Sequence, residues 1–174
     1  MTISEITHEV VTFVQRHQGM APFVVAALAF AESMAVLSFL VPATGILVAL
    51  GALLSASGIP FWPVVAGAFV GAALGDWVSY VIGYWLKDSI RGYWPFRRFP
   101  HFMDRAEAFT RKWGVASVFI GRFSGPLRAF VPLVAGMFRM NRLKFQLANV
   151  SSALIWSVLI LLPGEVVSRF WNFN

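Results

Sequence analysis

The chain has 174 residues, of which 58% are apolar (AVILMFWYC) and 13% charged, with a mean hydropathy of +0.71. A single domain of that size in water has too little interior for so many Phe, Leu, Val and Trp side chains, so composition predicts an integral membrane protein and excludes disorder. The absence of Cys excludes a disulfide scaffold and thiolate metal sites, and the net charge of +6 comes from basic residues flanking apolar runs, which points to juxtamembrane loops and away from nucleic acid.

Residues 1–18 carry Glu5, His8, Glu9, Arg16 and His17 and lack the basic-then-apolar order of a cleavable signal peptide. Ile3, Ile6, Val10, Phe13 and Val14 recur at helical spacing, and Thr2 and Glu5 have capping-box spacing. The spacing predicts a short amphipathic helix on the membrane surface, with a solvated helix end as the plainer alternative. The next apolar run, 20–58, is interrupted by Glu32 and by the break Val41-Pro42-Ala43-Thr44-Gly45. Pro42 and Gly45 are too close together to hold a solvated loop with its interfacial anchors, so a re-entrant helical hairpin is expected rather than two spans. Residues 61–86 form a clean span containing Asp76. A basic loop covers 87–113 and ends in an amphipathic stretch with Phe102, Ala106, Phe109 and Trp113 on one face. Residues 114–138 are apolar but hold Arg122, Arg128, Gly125, Pro126 and Pro132, a poor single span and a second hairpin candidate. A last span is expected at 145–162, ended by Pro163-Gly164, with 163–174 as a tail.

The two halves share one plan: amphipathic helix, a glycine (Gly19, Gly114), a broken charged segment, then a clean span. Glu32 precedes Pro42 by the same interval as Arg122 precedes Pro132. With one crossing between them, two hairpins enter from opposite faces, which is an inverted repeat of the kind found in secondary transporters. Chance likeness between Gly-rich apolar segments is the competing explanation. On the hairpin topology one face collects Lys87, Arg91, Arg97, Arg98, Arg105, Arg111, Lys112, Arg139, Arg142 and Lys144, while the other keeps Arg16 and Arg169. The first face is then cytoplasmic and both termini are outside.

Helical rise brings the buried charges to one depth. Glu32 lies about 20 Å and Asp76 about 22 Å from the outer edge. Arg122 and Arg128 come to about 18 Å and about 15 Å from the same edge. Ionisable groups at such depth are costly and are normally paired or functional. An ion-pair network that merely locks two hairpins together is the structural alternative. Ser124-Gly125-Pro126 has the order of a cap followed by a helix start, and Pro42-Ala43-Thr44 offers the same in the first hairpin. Half-helix N-termini present free N–H groups to an anion. A break between Arg122 and Arg128 lets both guanidiniums face one phosphate, which a continuous helix would forbid. Arg122, Arg128, Ser124 and Thr44 are therefore the candidate phosphate-binding residues, and Glu32 and Asp76 the candidate charge-coupling residues. No catalytic residue, metal or cofactor is expected.

Phe30-Ala-Glu32 before Pro42, the Gly75-Asp76, Tyr80 and Gly83 run, and above all Phe119-Ile-Gly-Arg-Phe-Ser-Gly-Pro-Leu-Arg128 followed by Pro132 and Ala135-Gly136-Met137 resemble the DedA family, also called SNARE-associated or VTT. Phe145, Asn149, Ser152 and Trp156 continue the likeness, which covers about residues 20–162. The resemblance implies an all-α integral membrane protein of the bacterial inner membrane, with two opposed re-entrant hairpins. It implies transport of a polyprenyl-phosphate carrier lipid, undecaprenyl phosphate, often linked to the proton gradient. By position it maps the family's membrane acid onto Glu32 and its paired arginines onto Arg122 and Arg128.

Two departures stand out. Where the family usually has Pro-Gly-Glu or Pro-Gly-Asp at the first tip, this chain has Pro42-Ala43-Thr44, so a second carboxylate is missing. Family members commonly continue into another C-terminal span, whereas this chain stops at Asn174, which would leave its C-terminus outside. Membrane lipids are the expected partners, and a homo-oligomer is compatible with the sequence. An enzyme is disfavoured: His8, His17 and His101 lie outside the apolar runs, and Ser124 has no membrane His or Lys as a base. The remaining alternatives are a phospholipid scramblase, a proton-coupled transporter of another small ion, and a non-transporting membrane-assembly protein.

Overall fold

The computed structural model describes residues 12, 16–34, 37–39, 45–48, 50–51, 59–94, 96–98, 100–125 and 127–171. Most of the amphipathic helix expected over 1–18 and the tip residues Pro42, Ala43 and Thr44 fall outside them. The described residues form six α-helices with no strand: α1 (Ala21–Ser33), α2 (Phe61–Leu86), α3 (Pro100–Trp113), α4 (Ala116–Gly121), α5 (Leu127–Met137) and α6 (Arg142–Trp171). Residues 45–48 are also helical.

Length divides these helices into two kinds. α2, and α6 from Arg142 to Pro163, are long and apolar enough to cross a bilayer. α1, α4 and α5 extend only about 20, 9 and 17 Å at 1.5 Å per residue, short of a ~30 Å hydrocarbon core. On α2, Trp62 and Trp85 are the exposed aromatic side chains near the two ends, about 35 Å apart along the axis, a spacing suited to two interfacial belts. α6 is polar inward and apolar outward: Asn149, Ser152 and Ser157 are fully buried, while Leu143, Leu147, Leu154 and Leu159 are more than half exposed. That inversion is stable where the surroundings are lipid.

Glycines on α2 decide how the short helices approach it. Gly67, Gly71 and Gly75 repeat every fourth residue on one face, and a Cβ on them would overlap the carbonyl oxygens of Pro22, Ala26 and Phe30 on α1. Further along the same helix, a Cβ on Gly83 would overlap the carbonyl of Leu133 on α5, and one on Gly136 of α5 would overlap that of Tyr80. Without a hydrophobic drive between helices in lipid, such close packing supplies the contact energy. α2 is thus a spine with α1 on its first half and α5 on its second. Two apolar clusters follow. One joins α1, Ile46, Leu47, Leu50, the first half of α2, and Ala153, Trp156 and Leu161 of α6. The other joins Tyr80, Met103, Val118, Phe130, Leu133 and Phe145, from α2 through α6.

Three local features differ from the sequence expectation. The first apolar segment has a break after Ser33, ahead of the one expected at Val41-Pro42-Ala43-Thr44-Gly45, whose first four residues lie outside the described ones: Met34 turns extended (ψ 123°) and its N–H closes on the Phe30 carbonyl, at a point where Ser33 packs against the bare face of Gly75. The last helix begins at Arg142 and runs past Pro163 to Trp171, so much of the expected tail is helical. A proline removes one N–H from the ladder but leaves the turns on either side intact, and membrane helices tolerate this. On α3 the buried residues are Met103, Ala106 and Thr110, while Trp113 turns outward; Phe102 still stacks on Phe130 of α5 at 5.7 Å. Gly114 ends α3 in the left-handed region (φ +52°), with its N–H on the Thr110 carbonyl. Ahead of α3, Arg91 donates to Asp104 (2.9 Å) and to Glu107, and these carboxylates hold its pKa above the ordinary arginine value.

Replacing Gly71 by Leu should lower the thermal midpoint in detergent strongly, by the equivalent of about 3 kcal/mol or more, because the clash is with backbone. Gly92→Ala, where a Cβ meets nothing within 4 Å, should change it negligibly.

Candidate functional site

Between the two apolar clusters lies a polar layer. Asp76 occupies α2 between Ala72 of the first cluster and Tyr80 of the second. Glu32 and Ser33 end α1, Arg122 follows α4, Arg128 is the second residue of α5, and Asn149 and Ser152 face inward from α6. The break between the arginines falls where the sequence places it. α4 stops at Gly121, Gly125 takes a left-handed conformation (φ +56°), and α5 starts at Leu127.

The four charges form two pairs. Arg122 donates from Nη2 to Asp76 Oδ2 (2.5 Å) and to Asn149 Oδ1 (2.7 Å), and from Nε to Ser152 Oγ (3.0 Å). Asn149 is itself held by its amide on the Ala73 carbonyl (3.0 Å) and on Gln146 Oε1 (3.2 Å). Arg128 donates from Nη1 to Glu32 Oε1 (2.7 Å) and from Nη2 to Ser33 Oγ (2.9 Å), and its guanidinium lies 4.0 Å from the ring centre of Trp156. Asp76 also feels Arg128, and the arginines feel each other, so the pairs are one electrostatic unit. Ser152 and Trp156 are one turn apart on α6, which places the two guanidiniums on neighbouring rungs of the same helix.

The pairs differ in enclosure. Arg122 and Asp76 side chains are 0% and 2% exposed, against 9% each for Arg128 and Glu32. Both sets remain incompletely satisfied: among the described residues, Arg122 Nη1, Arg128 Nε and Asp76 Oδ1 have no hydrogen-bond partner. Buried N–H groups of a charged side chain left without an acceptor are expensive.

Of the residues singled out from sequence, Glu32, Asp76, Arg122 and Arg128 converge here. Ser124 does not open α5 through its hydroxyl, which donates instead to the Ile120 carbonyl (3.0 Å) and so closes α4. Thr44 lies outside the described residues. Glu32 faces Arg128, and Asp76 takes Arg122, a division of labour that depth alone did not assign. Ser33, Asn149, Ser152 and Trp156 were not among the candidates. The signal for three of them was present, since positions 149, 152 and 156 fall on one helical face of an otherwise apolar span.

Arg122→Ala should destabilise the protein by about 3–5 kcal/mol, because it strands a fully enclosed carboxylate. Arg128→Ala, at the less enclosed pair, should cost less. Thermal unfolding in detergent at neutral pH ranks the two.

The family model described as the VTT domain matches residues 41–166. Over 137 residues the chain is 31% identical to inner membrane protein YabI of Escherichia coli (strain K12), covering 79% of this chain and 54% of that one. It is 29% identical over 153 residues to inner membrane protein YqjA of the same strain, covering 87% and 69%. An uncharacterized membrane protein of Buchnera aphidicola subsp. Schizaphis graminum is 29% identical over 143 residues, covering 82% and 57%. The chain spans little more than half the length of the first of these relatives, and no solved structure matches it. With a domain match over most of its length, an all-helical fold and two helices fit to span a bilayer, the chain belongs to the VTT-domain, or DedA, family of bacterial inner-membrane proteins.

Proposed function

We propose that the chain moves a polyprenyl-phosphate carrier lipid, undecaprenyl phosphate, across the membrane, with Arg122 and Arg128 binding its phosphate. One observation carries this reading: two arginines buried in an apolar bundle each keep a nitrogen without an acceptor among the described residues, beside the other's charge. A phosphate offers several acceptor oxygens to such a pair. The site is electrically balanced as it stands, with two arginines against two carboxylates. An incoming phosphate must therefore displace a carboxylate, and the less enclosed Glu32 is the one to yield. Protonation of Glu32 releases Arg128 to the lipid, and its deprotonation returns Arg128 to Glu32, which links transport to protons without an acid at Thr44. Arg122, with Asp76, Asn149 and Ser152, is the fixed half of the site. Transport rather than catalysis is proposed because no described His or Lys joins the cluster to act as a base.

The accompanying topology has residues 20–58 and 114–138 as opposed re-entrant hairpins, 61–86 and the apolar part of α6 as full spans, and the basic 87–113 region in the cytoplasm. Support comes from the shortness of α1, α4 and α5 and from the fit of α1 and α5 to opposite halves of α2. A second reading has one observation in its favour: the balanced, paired charges equally suit a permanent lock in a membrane-assembly protein.

In vesicles reconstituted with the protein, undecaprenyl phosphate should cross at least about tenfold faster than ordinary phospholipids, a preference worth about 1.4 kcal/mol. Arg128→Ala should abolish that movement while the protein still inserts, and Arg128→Lys should restore little, since an ammonium lacks the planar fork. Glu32→Gln should flatten the pH dependence. Equal rates for all lipids would instead indicate a scramblase, and an Arg128→Ala variant of normal rate would leave the permanent lock as the better account. Single cysteines at Thr2 and in the 87–113 region should be labelled from opposite faces.

A further inference from the structure

Arg139 occupies a position where glycine is ordinarily found. α5 closes in a Schellman motif: the Met140 N–H bonds the Ala135 carbonyl (3.0 Å) and the Arg139 N–H bonds the Gly136 carbonyl (2.9 Å). This leaves Arg139 at φ +51°, a conformation that a residue with a Cβ disfavours. Its guanidinium lies 5.3 Å from the ring centre of Tyr84, and that of Arg142 lies 5.1 Å from the same ring. Arg142 also interacts with the Tyr80 hydroxyl, whose own proton goes to the Met140 carbonyl. Two like charges thus converge on one aromatic ring. Among the described residues no carboxylate pairs with either, since the ion pairs found there belong to Arg91, Arg122 and Arg128.

A furrow of about 290 Å³ adjoins the pair, lined by Trp77, Tyr80, Val81, Tyr84, Trp85 and Arg142. Trp77, Val81 and Trp85 stand on the outer face of α2, each more than a third exposed. Trp77 is about 14 Å below the end of α2 at Leu86, so the furrow descends from the interface well into the hydrocarbon. None of its lining residues belongs to the central charge cluster. Cations at the top and an apolar channel beneath are the two halves of an anionic lipid in relief, the arrangement by which basic pockets between membrane helices hold charged headgroups.

We propose that this furrow is a binding site for an anionic glycerophospholipid of the surrounding bilayer, its phosphate between Arg139 and Arg142 and an acyl chain along Trp77, Val81 and Trp85. The lipid's single negative charge relieves the repulsion between the two guanidiniums, and its contacts tie the end of α5 to α2 and α6. Binding here is independent of what the central arginines transport.

The test is the thermal midpoint of the full chain in dodecyl maltoside with added phosphatidylglycerol, phosphatidylcholine or inorganic phosphate. Phosphatidylglycerol should raise the wild-type midpoint by several degrees, and the other two should not. Arg139→Gly relieves the left-handed backbone, so its lipid-free midpoint should equal or exceed that of wild type while its phosphatidylglycerol shift shrinks. The double variant Arg139→Gly/Arg142→Gln should lose the shift. A full shift in the double variant, an equal shift with phosphatidylcholine, or an equal shift with inorganic phosphate would each overturn the proposal.

Discussion

A guanidinium cannot shed its proton to escape an apolar surrounding as a buried Lys can, and it has no counterpart to the proton that a buried Asp or Glu takes up to become neutral. Arg122 and Arg128, 3% and 8% exposed, therefore require acids and hydrogen-bond acceptors wherever the chain puts them. Those acids come from far away in sequence: Asp76 is 46 residues from Arg122, and Glu32 is 96 from Arg128. Satisfying both arginines at once fixes where α1 ends, where α4 breaks and which face α6 turns inward. The polar layer is therefore the condition under which the two apolar clusters assemble.

The glycines on α2 serve that condition. Helices of the length of α1 and α5 are too short to cross the hydrocarbon by themselves, and each carries a buried charge near one end, Glu32 on α1 and Arg128 on α5. Only a spine without side chains at Gly67, Gly71, Gly75 and Gly83 lets them approach closely enough to bring Glu32 and Arg128 together from opposite ends. The close backbone contacts on α2, at Gly71, Gly75 and Gly83, thus flank its buried charge, Asp76.

Much of this was legible in the sequence because it follows from one-dimensional rules. Composition and the apolar runs fix the class, helical rise brings Glu32, Asp76, Arg122 and Arg128 to one depth, and Ser124-Gly125-Pro126 marks the break that separates the two arginines. What rise and breakers do not encode is azimuth. Whether Arg122 meets Asp76 or Glu32 depends on how α4, α5 and α6 are rotated about α2, which tertiary packing decides. The same holds for the end of α1 at Ser33: a helix-compatible stretch stops where Ser33 meets Gly75 and the Arg128 guanidinium, and no local signal in Ser33-Met34 announces it. At Pro163 the local signal was present but outweighed, since flanking turns in an apolar helix survive one missing hydrogen bond. Ser124 has the composition of a cap, yet its hydroxyl bonds backwards to Ile120.

Exchange of partners at Arg128 is the central claim, and proton uptake on lipid binding measures it most directly. Undecaprenyl phosphate added to the detergent-solubilised protein in weakly buffered solution brings negative charge into a balanced, water-poor site. The account predicts that binding draws protons from solution, approaching one per lipid, and that Glu32→Gln binds the lipid while taking up markedly fewer. Binding with the same proton uptake in wild type and Glu32→Gln would contradict it.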